Sequence, residues 1–188
     1  MITNREVLKE YLRCDQIALG RKNEMRPRWG RDEIWRFQRL LRYTEYYYNT
    51  RKGIVSKIIY IWYKFRFHKL SVKLGFSIPL NVFGKGLSIA HYGPIVVNDK
   101  AKIGEFCRIQ ESVTIGSTGG SWKAPRIGDY VFIASGARII GDIEIGSYNA
   151  IGANAVVTKS FSEEHITLAG IPAHKISNND SSAFIRKE

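Results

Sequence analysis

VVNDKAKIGEFCRIQESVTIG at residues 96–116 and RIGDYVFIASGARIIGDIEIGSYNAIGANAVV at residues 126–157 share one rhythm. Val97, Ile103, Ile109, Ile115, Ile127, Ile133, Ile139, Ile145, Ile151 and Val157 fall in a single six-residue frame that only Ser121 breaks. In a chain that is 44% hydrophobic, so many apolar hits in one frame arise by chance in about 1% of cases once all six frames are allowed for. Small or polar residues follow many anchors (Gly104, Gly116, Gly128, Ala134, Gly146, Gly152). The position four beyond most anchors is small or apolar (Ala101, Cys107, Val113, Val131, Ala137, Ile143, Ala155). Each unit therefore reads as one short strand and a turn. A single unit cannot bury its own anchor, so the units must stack into a parallel β-helix with a narrow interior. Cys107 then reads as a core filler rather than a nucleophile.

The break at Ser121 lies in GSTGGSWKAPR, residues 116–126. A stretch so rich in Gly and Ser and carrying a Pro cannot hold the strand rhythm and is predicted to leave the coil as an external loop near 117–126. Loops that depart from a rigid solenoid are where binding groups tend to sit.

Upstream the texture differs. Ile34, Phe37, Leu41, Thr44 and Tyr48 follow helical spacing, and Asp32 with Glu33 suits a helix N-terminus. The run IVSKIIYIWYKFRFHKL at 54–70 mixes a broad apolar face with cations. It fits a helix packed on a partner subunit or on the β-helix, or one lying on an anionic membrane. Its apolar part, Ile54 to Phe67, is interrupted by Lys57, Lys64 and Arg66 and falls short of the ~20 residues that span a bilayer. The predicted organisation is a basic α-helical segment at 1–75, a β-helix at 76–177 and a C-terminal tail at 178–188.

The net charge of +12 is concentrated in the first segment, where residues 1–75 hold 18 Lys/Arg against 7 Asp/Glu while the remainder holds 11 against 10. Such charge suits a polyanionic or membrane-held partner. No specific nucleic-acid binding is expected, because no helix-turn-helix, zinc or single-strand-binding signature accompanies it. Cys14 and Cys107 lack metal-ligand spacing, so no metal site is expected, and they fit a reducing, cytoplasmic setting. MITNREVLKEYLRCD at 1–15 lacks the apolar run of a signal peptide, so export is not expected.

The runs GKGLSIAHYGPIVVNDKAKIGEFCRIQESVTIGSTGG at 84–120 and PRIGDYVFIASGARIIGDIEIGSYNAIGANAVVTKS at 125–160, closed by AGIPAHKIS at 169–177, resemble the left-handed β-helix hexapeptide acetyltransferases. Among these the chain is most similar to the serine acetyltransferase group and, in type, to the enzymes that O-acetylate capsular or extracellular polysaccharides. The resemblance implies a mainly β chain, a left-handed parallel β-helix assembled as a homotrimer, with acetyl-CoA as co-substrate. It implies His91 as the base that deprotonates an acceptor hydroxyl, work an imidazole near its ordinary pKa can do and an unassisted alcohol cannot. Glu111, twenty residues on and close to one coil away, is a candidate carboxylate to orient it. For the cofactor it implies Ser117, Ser135 and Ala153, spaced by eighteen and so expected to stack in one column. Lys159 and Lys175 would meet CoA phosphates, and backbone N–H groups near Gly116 would stabilise the oxyanion.

Three of the groups in the serine-specific pattern are replaced by residues unable to do the same work. Where that group places an aspartate directly before the histidine, another some fifteen residues upstream and an Arg-His pair in the loop, this chain has Ala90, Phe76 and Lys123-Ala124. The expected acceptor is accordingly a hydroxyl on a polysaccharide sugar or its lipid-linked precursor, with Trp122, Lys123 and Asp99 as acceptor-binding candidates and an enzyme associated with the inner face of the membrane. L-Serine is the alternative acceptor, and a non-catalytic β-helix scaffold the reading from another class.

Overall fold

The ten anchors form the interior of the molecule. In the computed structural model, which describes residues 1–186, every one of them is 5% exposed or less. Side chains four positions on, such as Ala101, Val131, Ala137 and Ala155, are buried between them. Cys107 sits in the same interior, where burial pushes its thiol up to about 12 and leaves it inert as a nucleophile.

The strands, numbered in chain order, climb three faces. The first face stacks β1 (Phe76–Ser77), β3 (Ile95–Val97), β6 (Thr114–Gly116), β9 (Arg138–Ile140) and β12 (Val156–Val157). The second stacks β4 (Lys102–Ile103), β7 (Arg126–Ile127) and β10 (Glu144–Ile145). The third stacks β2 (Ser88–Ile89), β5 (Arg108–Ile109), β8 (Phe132–Ile133), β11 (Ala150–Ile151) and β13 (Thr167–Gly170), all parallel, and is closed by β14 (Ala173–Ser177), which folds back antiparallel on β13. Residues 178–186 return along the third face, with Ser181 buried and the Phe184 ring stacked on Phe132 at 4.4 Å.

Three helices precede the coils: α1 (Arg5–Ala18), α2 (Glu33–Thr50) and α3 (Gly53–Leu74). The helix-spaced residues Phe37, Leu41 and Thr44 face inward, and Phe37 and Leu41 join the core of the β-helix. Helix α3 rests on α2 through Phe37 on Phe67 and through Tyr43 and Tyr47 on Tyr63, with ring centroids 5.3, 5.4 and 5.0 Å apart. Gly75 ends it at φ +76°, donating to Ser71 and Val72 carbonyls, and its own carbonyl then accepts from Ile95 N–H at 3.1 Å. Outward from α3, Ile54, Ile58, Ile61, Phe65 and Val72 remain exposed in a stripe.

The first coil has no coil before it, so the backbone groups of residues 81–89 need other partners. Side chains of α1 and α2 supply them. Arg42, fully buried, donates to both oxygens of Asp15 at 2.8 and 3.2 Å, to Glu45 Oε2 at 3.0 Å, and to the carbonyls of Phe83 and Gly84 at 3.1 and 2.6 Å. Asp15 Oδ1 accepts from the N–H groups of Gly86 and Leu87 at 2.8 and 2.9 Å, and Glu45 Oε1 from that of Asn81 at 2.8 Å. Gln38 bridges Leu87 O at 2.6 Å and Ile89 N–H at 3.2 Å. Burial raises the carboxyls of Asp15 and Glu45 against the lowering influence of Arg42. Burial by itself lowers Arg42, and the two carboxylates outweigh it and leave the guanidinium above its ordinary value.

Removing one member of this cluster strands the others without water. Arg42→Ala is therefore expected to cost about 3–5 kcal/mol of folding stability, against about 0.5 kcal/mol or less for an exposed charge such as Lys100. Urea denaturation followed by circular dichroism checks this, and equal midpoints for the two variants would refute it.

Candidate active site

His91 lies where the third face turns into the first. Regular turns at this corner carry six residues from anchor to anchor, as from Ile109 to Ile115, but the step from Ile89 to Val97 takes eight. The interior is already filled, so the two extra residues must swell outward, and AHYGP forms a projecting corner on which His91 and Tyr92 are exposed. Gly93 takes φ +131°, and a Cβ there would come within 3.0 Å of Glu111 Cβ. Only glycine lets the corner fold down this closely on the coil beneath.

Glu111 occupies that next coil. Ile89 pairs with Ile109, and Ala90 N–H donates to Ile109 O at 3.0 Å, which sets Glu111 beneath His91 in the stacking order. Below it comes Ser135: Gly136 N–H donates to Glu111 O at 3.0 Å. Gln110 Oε1 accepts from both the N–H and the hydroxyl of Ser135, at 3.0 and 3.1 Å. The Ser135 hydroxyl also lies against the Glu111 carboxylate and is the largest influence holding it below the ordinary value of 4.5, followed by Glu111's own N–H and, opposed by desolvation, the His91 charge. Glu111 Oε2 is buried and has no hydrogen-bond partner among the described residues.

The expected column of Ser117, Ser135 and Ala153 is not formed. The external loop runs from β6 to β7 and carries twelve residues from Ile115 to Ile127, so it uses one six-residue unit without making a strand. Across it, coil partners stand twenty-four apart, as in Ile109↔Ile133 and Ile115↔Ile139, and return to eighteen only beyond it, as in Ile133↔Ile151. Ser135 and Ala153 therefore share the His91 corner, after β8 and β11, while Ser117 follows β6 at the corner between the first and second faces. There Ser117 Oγ accepts from Asn98 Nδ2 at 3.3 Å, and the neighbouring Gly116 pairs with Ile140.

The acceptor candidates also lie at that second corner. Trp122 is 89% exposed in the loop, Lys123 pairs with Asp142 at 2.7 Å, and Asp99 pairs with Lys100 at 3.7 Å. The tertiary structure thus separates them from His91, Glu111, Ser135 and Ala153 within one chain. Lys159, after β12, lies over the Phe161 ring at 5.3 Å, and Lys175, on β14, pairs with Glu163. Among the described residues no group of three His, Cys, Asp or Glu side chains is arranged to hold a metal ion.

His91 and Tyr92 also border a cavity of about 340 Å³ between the third face, the α1–α2 connection and the returning C-terminal segment. Arg21, Arg31, Trp35, Arg108 and Arg186 line it. Sequence reasoning missed all five, because four of them lie outside the repeats. Arg108 alone carried a signal: it precedes a buried anchor on a strand, so it must point outward.

A carboxyl held below its ordinary value stabilises the fold at pH above that value and loses the contribution as pH falls through it. Glu111, followed by its side-chain carbon resonance, is therefore expected to titrate below 4.5. Ser135→Ala should return it upward, and an unchanged titration would refute the coupling.

Residues 124–159 match the family model described as bacterial transferase hexapeptide (six repeats). The chain is 36% identical over 129 residues to a serine acetyltransferase of Staphylococcus aureus (strain Mu50), covering 68% of this chain and 57% of that one. It is 39% identical over 105 residues to a serine acetyltransferase of Escherichia coli (strain K12), covering 55% and 38%. The chain thus spans about half or less of the length of these relatives. A solved serine acetyltransferase in complex with CoA superposes with a TM-score of 0.67 at 25% identity, over 92% of this chain and 71% of that one. In repeat, fold and sequence, this chain is a left-handed parallel β-helix hexapeptide protein of the serine acetyltransferase-like group.

Proposed function

We propose that the protein is an acetyl-CoA-dependent O-acetyltransferase acting through a ternary complex. The observation that carries this is His91, exposed on a corner two residues longer than its neighbours and stacked next to a Glu111 whose buried Oε2 has no hydrogen-bond partner among the described residues. His91 takes the proton of an acceptor hydroxyl as its oxygen attacks the thioester carbonyl. The C–O bond forms, the C–S bond breaks, and the imidazolium returns the proton to the CoA thiolate. Glu111 positions the ring and supports its positive charge. No acyl-enzyme is invoked, since Cys107 is buried and Cys14 half-buried, with burial raising both thiols. Similarity to a serine acetyltransferase solved with CoA supports acetyl-CoA as donor.

The loop corner and the His91 corner are distinct in one chain, so a cleft using both draws them from neighbouring copies. This supports the homotrimeric reading, with Gly116, Ser117, Trp122 and Lys123 of one copy facing the His91 corner of another, where Ser135 and Ala153 flank the pantetheine arm. Asp99, Lys159 and Lys175 keep only auxiliary roles.

Similarity to proteins named serine acetyltransferase favours L-serine as acceptor over the sugar hydroxyl expected from the sequence. Ala90, buried Phe76 and buried Ala124 favour the sugar as a second reading, since none can orient the base or bind an amino-acid head group. Thiol release from acetyl-CoA, measured with L-serine and with a panel of capsular-type oligosaccharides, decides between them.

His91→Ala is expected to keep acetyl-CoA binding in calorimetry and to lower turnover at least ~100-fold. A variant that remains nearly active would remove His91 from the mechanism. Contact with the inner membrane face is supported by the exposed apolar stripe of α3 and its five cations without an acid. Ile58→Asp with Phe65→Asp should then abolish co-sedimentation with phosphatidylglycerol vesicles. Equal sedimentation of the variant, or none by the parent chain, would remove the membrane contact. No helix among the described residues is long and apolar enough to cross a membrane.

A further inference from the structure

The cavity beside His91 is cationic far beyond what its neighbours balance. Of its four arginines only Arg21 is paired, to Glu24 at 2.6 Å and to Asp32 at 3.0 Å. The Arg21 ion pair on Oδ1 and an Arg28 N–H donated at 2.8 Å to Oδ2 also engage Asp32, the acid in the lining. Arg31, Arg108 and Arg186 have no ion-pair partner among the described residues. Arg108 is partly buried on β5, and burial, then the nearby charge of Arg186, lowers its pKa. A partly buried guanidinium beside a second, exposed one forms an arrangement that an anion relieves.

The placing of Arg186 is specific. Its guanidinium lies over Gly20, donates to Leu19 O at 3.3 Å, and would meet a Cβ on residue 20 at 1.9 Å. A glycine at the end of α1 thus leaves room for a cation from the far end of the chain. A second, independent feature borders the same cavity. Trp35 is 2% exposed, lines the cavity, and its Nε1–H has no hydrogen-bond partner among the described residues. A buried donor of this kind is costly unless something accepts from it. The volume of about 340 Å³ falls at the lower end of small-molecule sites.

We propose that this cavity is the subsite for an acidic group of the acceptor, a carboxylate or phosphate held by Arg108 and Arg186 with Trp35 Nε1–H as a further donor, while the acceptor hydroxyl reaches His91. The proposal rests on the acetyl-transfer reading and narrows it: the acceptor carries an anionic group, recognised by Arg108 of β5 together with residues outside the repeats rather than by the external loop. A planar arginine fork suits both carboxylate and phosphate oxygens.

The test reads binding rather than turnover. In an indole ¹H–¹⁵N spectrum, assigned with Trp35→Phe, the Trp35 signal is followed while glucuronate, its methyl ester, L-serine, L-serinamide and inorganic phosphate are each titrated. Inorganic phosphate and at least one of the two carboxylates are expected to shift the signal saturably, and the uncharged or cationic counterpart of that acid is not. Which carboxylate responds separates an acidic sugar from an amino acid as the source. Arg108→Gln with Arg186→Gln should weaken the binding at least tenfold at an unchanged thermal midpoint. Should that pair fail to fold, Arg108→Lys should keep phosphate binding and weaken carboxylate binding several-fold. Absence of any shift, equal shifts from the ester or amide, or unchanged affinity in the arginine variants would overturn the subsite. A chain that binds the acids as expected yet releases no thiol with any acceptor would instead overturn acetyl transfer and leave the anion site standing.

Discussion

A solenoid has to be ended, and here the N-terminal end is closed by charge. The coil at residues 81–89 would present a row of unpaired amides and carbonyls to solvent or to another strand edge. Asp15, Arg42, Glu45 and Gln38 occupy that row from two helices, satisfying Asn81, Phe83, Gly84, Gly86, Leu87 and Ile89. Because the bonds go to backbone positions, they fix where the helices sit on the coil. A hydrophobic contact of equal area would leave more freedom to slide.

That fixed seat has a consequence for chemistry. It holds the α1–α2 connection, with Arg21 and Arg31, beside the outer surface of β2 and β5, and so beside His91. The C-terminal segment returns to the same place, pinned by Phe184 on Phe132, and delivers Arg186. Much of the basic character that distinguishes the first segment is spent elsewhere, on α3. The charges that border the histidine come from three separate parts of the chain and meet only because the first coil is capped as it is.

Departures from the six-residue rhythm mark the two corners of the proposed site. Each anchor fills the interior completely, so an insertion has no space inside and must leave by a corner. The two extra residues at 90–94 lift His91 outward; the six extra residues near 117–125 make the loop with Trp122 and Lys123. Glu111 was within reach of sequence reasoning because the coil below His91 is twenty residues long. Ser117 was misplaced because an eighteen-residue spacing counts residues, whereas stacking counts strands, and the loop supplies residues without a strand.

The amino-acid sequence determined the parallel β-helix, the identity of its interior positions and the inert burial of Cys107, since all of these follow from a local period and the need to bury each anchor; the place of His91 came from family resemblance, and its projecting corner from the structure. The sequence also placed α2, whose inward face obeys the helical repeat at Phe37, Leu41 and Thr44. It could not show that Gln38, Arg42 and Glu45 share that buried face, because a polar side chain is buried only when a distant partner awaits it, and those partners are backbone groups some forty residues away. Nor could it assemble Arg108, Arg186 and Trp35 beside His91. Their meeting depends on how helices, coil and C-terminal return pack in three dimensions, which no period along the chain records.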